Sequence, residues 1–134
     1  MDKKVDIFDK QFMFIPCHMN QAHWTLCLVD FFQKKVVYYD SMGAKRFDVV
    51  ETIKNYLKEE HLDKKKFKID LSEWESVCMG VDSPQQTNGS DCGVFMCTTA
   101  EFISRNYKLN FCQAEIPLLR KTMVVEILQA KLSR

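Results

Sequence analysis

The stretch "PQQTNGSDCGVFMC", residues 84–97, decides how the rest of the chain is read. Asn88-Gly89 is a turn signal, and from Cys92 onward Val94, Phe95, Cys97, Phe102 and Ile103 recur at helical spacing over residues 92–106. A helix starting at or near Cys92 places the sulfur beside unpaired N–H groups and the positive end of the macrodipole. Both favour thiolate over thiol. Gly89 and Gly93 let another backbone approach without meeting a Cβ. A thiol meant only for the core has no need of this setting.

A thiolate becomes a catalyst only with a group that positions it and moves protons. The chain has three histidines. His61 lies in a charged stretch at a helix end and reads as a surface residue, and His18 falls in a loop after Pro16. His23 opens "HWTLCLVDFF" (23–32), and Asp40 sits near the end of "VVYYDSMG" (36–43). Both runs are rich in aromatic and β-branched residues and are separated by polar "QKK", which predicts a hairpin. His23 and Asp40 then share one end of it, as a base and its orienting carboxylate require. A turn centred near Gln33 sets Asp40 opposite residue 26, about three positions or ~10 Å from His23 at strand rise. A bulge or strong twist is expected to close that gap. Taken singly, each residue has a plainer use: Cys92 as a buried thiol, His23 as a packed, hydrogen-bonded side chain.

The surrounding sequence is that of one α+β domain. "QFMFIP" (11–16) reads as a strand stopped by its proline. Val49, Val50, Ile53, Tyr56 and Leu57 predict an amphipathic helix over 47–62, and "DKKKFKID" (63–70) a solvated loop. Around "WESVCMGVD" (74–82) strand and loop are not separable. A last helix from Pro117 carries Leu118, Leu119, Met123, Ile127, Leu128 and Leu132, with the proline where its missing N–H is harmless.

The 134 residues suffice for a core without staples. Nineteen basic against eighteen acidic side chains give a net charge of +1, so bulk charge does not gather nucleic acid or an anionic membrane. No run approaches the ~18 apolar residues of a membrane span, and "MDKKVDIFDK" is too charged for a secretory signal, which places the chain inside the cell. Six cysteines without a C-x-x-C pair suit reduced thiols and argue against structural zinc. Cys17 and His18, with His23 nearby, are a weak hint of metal ligands; no metal or cofactor is expected.

The three motifs together resemble the ubiquitin-like-protein proteases of papain-like fold that act on SUMO, the sentrin-specific proteases. "HWTLCLVDF" resembles the family's histidine motif, "YYDSMG" its aspartate motif and "PQQTNGSDCG" its nucleophile motif; the likeness runs from about Val5 through "RKTMVVEIL". It implies that Cys92 is the nucleophile, His23 the general base and Asp40 its partner. Gln86 and the Cys92 N–H would bind the oxyanion, a role suited to a neutral donor. Trp24 and Gly93 would line a narrow channel over a Gly-Gly terminus. SUMO, its precursor and its conjugates are the implied partners, in nucleus or cytoplasm. The alternatives are another modifier such as NEDD8, or a non-catalytic SUMO-binding fragment. The family carries a helical segment upstream of the region matched here, so residues 1–134 are expected to be part of a catalytic domain with reduced activity, and with uncovered apolar faces on the hairpin and the helix at 92–106.

Overall fold

The structure is a computed structural model, and it describes residues 5–133; the charged opening "MDKK" lies outside them. The hairpin forms as its composition predicts. Strand β2 (His23–Asp30) pairs antiparallel with β3 (Lys35–Tyr39), and β1 (Phe12–Met19) pairs antiparallel with β2 on its other side. Strand β4 (Glu75–Cys78) lies parallel to β3 and completes a sheet of order β1-β2-β3-β4. A parallel neighbour needs a long crossover. Helix α1 (Phe47–Lys65) lies within it. Residues 25–30 of β2 are all buried, without in-out alternation, because the central strand is covered on both faces.

One face packs on α1. Cys27, Val29, Val36 and Tyr38 of the sheet meet Val50 and Leu57 of the helix, with Leu71 and Cys78. Against the other face lies α2 (Cys92–Ser104), followed by α3 (Ile116–Gln129), and Val94, Phe95, Phe111 and Ile116 form a second cluster there. The sheet therefore sits between helical layers.

Several expectations are corrected. Pro16 does not stop β1, which continues to Met19 with Pro16 paired to Leu26. An edge strand tolerates a residue without an N–H. His18 is accordingly in the strand, its ring stacked on Trp24 at 4.4 Å and 18°, while Cys17 hydrogen-bonds the Ile15 carbonyl and packs on the α1 face. His61 is buried, not at the surface. It donates from Nδ1 to the Phe67 carbonyl at 2.9 Å, between the edges of Phe8 and Phe67. Tyr56 points outward. Helix α1 takes in Lys64 and Lys65 and ends at Lys66, which is left-handed at φ 65° and caps the Leu62 carbonyl.

The final helix, read as apolar, buries only Ile116 fully; Leu119 and Met123 pack against the second cluster, and Leu118, Ile127 and Leu128 are exposed. Exposed apolar side chains thus lie along α3 and, on the hairpin, at Trp24 and Phe32, whereas the large apolar side chains of α2 are covered.

Leu57, with no exposure, is the test of the α1–sheet contact. Leu57→Ala is expected to cost ~2–5 kcal/mol. The neighbouring surface change Lys58→Ala should stay within about 0.5 kcal/mol in the same urea titration. Equal midpoints for the two variants would place the core elsewhere.

Candidate active site

Histidine and aspartate meet without a bulge. The β2–β3 ladder runs Leu26–Tyr39, Cys27–Tyr38, Leu28–Val37 without interruption, so continuing it sets Asp40 opposite Thr25, not residue 26. His23 is then the diagonal neighbour, a separation that long side chains bridge. His23 Nε2 lies 2.7 Å from Asp40 Oδ1. A carboxylate only accepts, so Nε2 carries the proton, and Nδ1 is left as the ring's acceptor.

Asp40 is 3% exposed and held from all sides. Oδ1 also accepts the Met42 N–H at 2.8 Å, and the carbonyl accepts the N–H of Gly43 at 2.9 Å, closing a tight turn. Gly43 has φ +83°, and a Cβ there would come within 3.0 Å of Val81 and Gln85. The turn therefore needs glycine in order to pack. Gln85 Nε2 lies 3.0, 3.2 and 3.1 Å from the carbonyl oxygens of Asp40, Gly80 and Ser83, among which its two hydrogens are shared, and this locks the turn to residues 80–85.

Cys92 is the first residue of α2, as the sequence predicts, and is buried. The Trp24 N–H donates to its sulfur at 3.5 Å, so the helix delivers the thiol to the strand residue next to His23. Trp24 is 39% exposed. Its ring lies between His18, on which it stacks, and Gly93, where a Cβ would be 3.9 Å from the indole. Gly89 faces open space.

Gln86 spans the two halves of the site. Its N–H donates to the Ser41 carbonyl at 2.8 Å, its Oε1 accepts the Ser41 hydroxyl, and its Nε2 donates to the Asn88 carbonyl. An amide nitrogen has two hydrogens, so one remains for a ligand. His23, Trp24, Asp40, Gln86, Cys92 and Gly93 are thus assembled at one end of the sheet, linked through these contacts.

The sequence reading missed Asp91, Gln113 and Arg120. Asp91, although the N-cap residue of α2, caps nothing with its side chain; it accepts from Asn88, Gln113 and Arg120 instead. The Asn88 bond, then those from Arg120 and Gln113, lower its carboxyl from 3.8 to about 2. The "SDCG" run marks Asp91 as adjacent to the thiol, but no local pattern joins it to a glutamine 22 residues and an arginine 29 residues further on. Among the other thiols, burial pushes Cys27 up to about 12 and raises Cys17, Cys78 and Cys97. Among the described residues no helix is long and apolar enough to cross a membrane, and no three acidic, histidine or cysteine side chains cluster to hold a metal.

An imidazole on one strand and a carboxylate just past the end of its neighbour, with a cysteine opening a helix packed on the sheet, define a papain-like arrangement. The chain belongs to the Ulp1 protease family, whose C-terminal catalytic domain model matches residues 1–133. It is 40% identical over 131 residues to sentrin-specific protease 2 of Rattus norvegicus, covering 97% of this chain and 22% of that protein. It is also 40% identical over 130 residues to a sentrin-specific protease of Caenorhabditis elegans, covering 97% and 18%. The chain thus spans about a fifth of the length of these relatives. Its fold matches the C-terminal Ulp1 protease domain solved in complex with SMT3, the yeast ortholog of SUMO, with a TM-score of 0.78 and 27% identity, over 95% of this chain and 56% of that one. The Ulp1-like SUMO protease catalytic domain of Chaetomium thermophilum matches with a TM-score of 0.81, 27% identity and coverages of 93% and 48%.

The lowered Asp91 carboxyl has a thermodynamic consequence. A group whose folded value lies below its unfolded one contributes stability above the unfolded value, lost as pH falls through the folded one. The gap in urea midpoint between the parent protein and Asp91→Asn should be constant above about pH 4 and shrink as pH falls toward 2. A gap independent of pH down to 2 would show that the ionised carboxylate contributes nothing.

Proposed function

We propose that the chain carries the catalytic residues of a cysteine protease that hydrolyses the bond after the C-terminal Gly-Gly of SUMO, in precursor processing, deconjugation or both. The observation that carries this reading is the His23–Asp40 bond of 2.7 Å together with the Cys92 sulfur on the N–H of the next residue, Trp24. The sentrin-specific and SUMO-protease names of the relatives support the substrate class.

In this reading Cys92 attacks the carbonyl carbon of the last glycine as a thiolate, and His23, hydrogen-bonded to Asp40, carries the proton. As the S–C bond forms, the carbonyl oxygen takes up negative charge and is met by the Cys92 N–H and the free Gln86 amide hydrogen. Collapse breaks the C–N bond, and His23 gives its proton to the leaving amine, a target lysine or a peptide N-terminus. Water then attacks the thioester, losing a proton to His23; the C–S bond breaks, the glycine carboxylate leaves, and the Cys92 thiolate with protonated His23 is restored. Asp40 keeps the ring in the orientation and tautomer these transfers need. Trp24, whose indole reaches Gly93, would form a wall of the channel over the terminal glycines, and a channel walled by an indole admits residues without side chains most readily.

The test is capture of modifiers bearing a C-terminal electrophile. In the full-length protein, Cys92 should be the residue joined to SUMO, and Cys92→Ala should abolish both capture and precursor cleavage. Capture of NEDD8 in preference to SUMO would overturn the substrate, and capture at another cysteine would overturn the site. Brief iodoacetamide treatment at neutral pH should likewise label Cys92 ahead of the other five thiols, as a helix N-terminus favours the reactive thiolate.

The two glutamines separate by role. Gln86→Ala is expected to lower kcat by roughly 10²–10³ with KM nearly unchanged, since the oxyanion exists only on the reaction path. Gln85→Ala should act mainly on the melting temperature, because its amide holds three carbonyls of the surrounding turns. Steady-state kinetics and melting curves of the pair decide this; equal losses of kcat would misassign Gln86.

A further inference from the structure

Residues 86–91 carry the amide of Gln86 to the thiol of Cys92, yet none of them lies in a strand or helix. Thr87, Asn88, Gly89 and Ser90 are exposed. Their geometry comes from side chains outside the loop. Gln113 spans it: Oε1 accepts the Thr87 N–H at 2.8 Å, and Nε2 donates to Asp91 Oδ2 at 2.9 Å. Arg120, on α3, forks onto Asp91 Oδ1 through Nε at 3.0 Å and Nη2 at 2.5 Å, and its Nη2 also reaches the Ser90 carbonyl at 3.2 Å. The same carboxylate accepts from Asn88 Nδ2 at 2.7 Å. Asn88 in turn accepts at its carbonyl from Gln86 Nε2 and at its Oδ1 from the N–H groups of Ser90 and Asp91.

We propose that Gln113 and Arg120 are positioning residues: through Asp91 and Asn88 they hold residues 86–91 in the one shape that aims the Gln86 amide and the Cys92 sulfur at the same carbonyl group. This rests on the roles given above to Gln86 and Cys92. The chain of contacts is continuous, Arg120 and Gln113 to Asp91, Asp91 to Asn88, Asn88 to Gln86. A break at its far end frees both reacting groups at once. Arg120 does a second thing. Asp91 adjoins the nucleophile, and an unpaired carboxylate there would oppose the thiolate; the guanidinium fork neutralises it in fixed geometry. A plainer reading is that Arg120 merely fastens α3 to α2. That role would affect melting alone.

The experiment uses the full-length protein with Gln113→Ala, Arg120→Ala and Arg120→Lys, measuring kcat and KM on a SUMO precursor and amide hydrogen exchange across residues 86–91. Gln113→Ala should lower kcat at least about tenfold, below the roughly 10²–10³ ceiling set by losing the oxyanion donor outright. KM should stay within about twofold, because the loss falls on the transition state. The Thr87 amide should exchange faster. Arg120→Lys, which keeps the charge and loses the fork, should recover part of what Arg120→Ala loses. Lower melting with unchanged kcat and unchanged loop exchange overturns the proposal, and so does a rise in KM alone. If the Arg120 variants do not fold, Gln113→Ala decides. If the parent protein cleaves no SUMO precursor, the functional reading falls, and exchange alone decides the brace: faster exchange across 86–91 supports it, unchanged exchange overturns it.

Discussion

In an antiparallel pair, directly opposite residues point to the same face, so the pairing of Cys27 with Tyr38 decides which side chains Asp40 can meet. Counting on from it, Asp40 shares a face with His23, Thr25 and Cys27. A slip of one residue would set Asp40 opposite Leu26 and turn it away from the imidazole. The register cannot slip, because both faces of β2 are buried: Cys27 and Val29 against α1, Leu26 and Leu28 on the opposite side. Core packing on the sheet thus fixes the contact at its end, and the histidine–aspartate bond inherits its geometry from apolar side chains that take no part in chemistry.

The hairpin, α1, α2 and α3 were legible because each has a clear period or a marked start, and Cys92 does open a helix. The joint between His23 and Asp40 was legible only in outline, since a turn centre misjudged by half a residue changes the partner of Asp40 and flips its face. Pro16 and His18 misled for a different reason: whether a proline ends a strand depends on whether the strand is at an edge, which is a property of the sheet. His61 misled because Phe8, far away in sequence, covers it. Asp91, Gln113 and Arg120 left no readable trace as a group, since their association is made by α3 and the turn before it lying beside the start of α2, and not by spacing. The three motifs that matched a family bypassed this difficulty by carrying tertiary information in their order along the chain.

The site divides into a rigid part and a braced part. His23 and Trp24 lie on a central strand and Cys92 opens a helix, elements held in place by ladder and helical hydrogen bonds. Residues 40–43 and 80–91 have no such ladder, and side-chain amides take its place: Gln85 to the carbonyls of Asp40, Gly80 and Ser83, Gln86 between Ser41 and Asn88, Gln113 between Thr87 and Asp91. An amide can donate and accept at once, which suits it to closing loops whose free groups are both N–H and C=O.

Amides also bring no net charge. Around a thiol and an imidazole proposed to exchange a proton, a stray cation or anion would favour one ion over the other at all times, in the low effective dielectric of a partly buried site. Two carboxylates are placed close to His23 and Cys92, and each has a partner that matches it. Asp40 lies against His23, and Asp91, next to Cys92 in the chain, is held by the Arg120 fork. The remaining connections are neutral. Local geometry is thereby held tightly while the electrostatic balance between sulfur and ring is left to the helix terminus and to Asp40, the two elements whose positions the sheet and its core dictate.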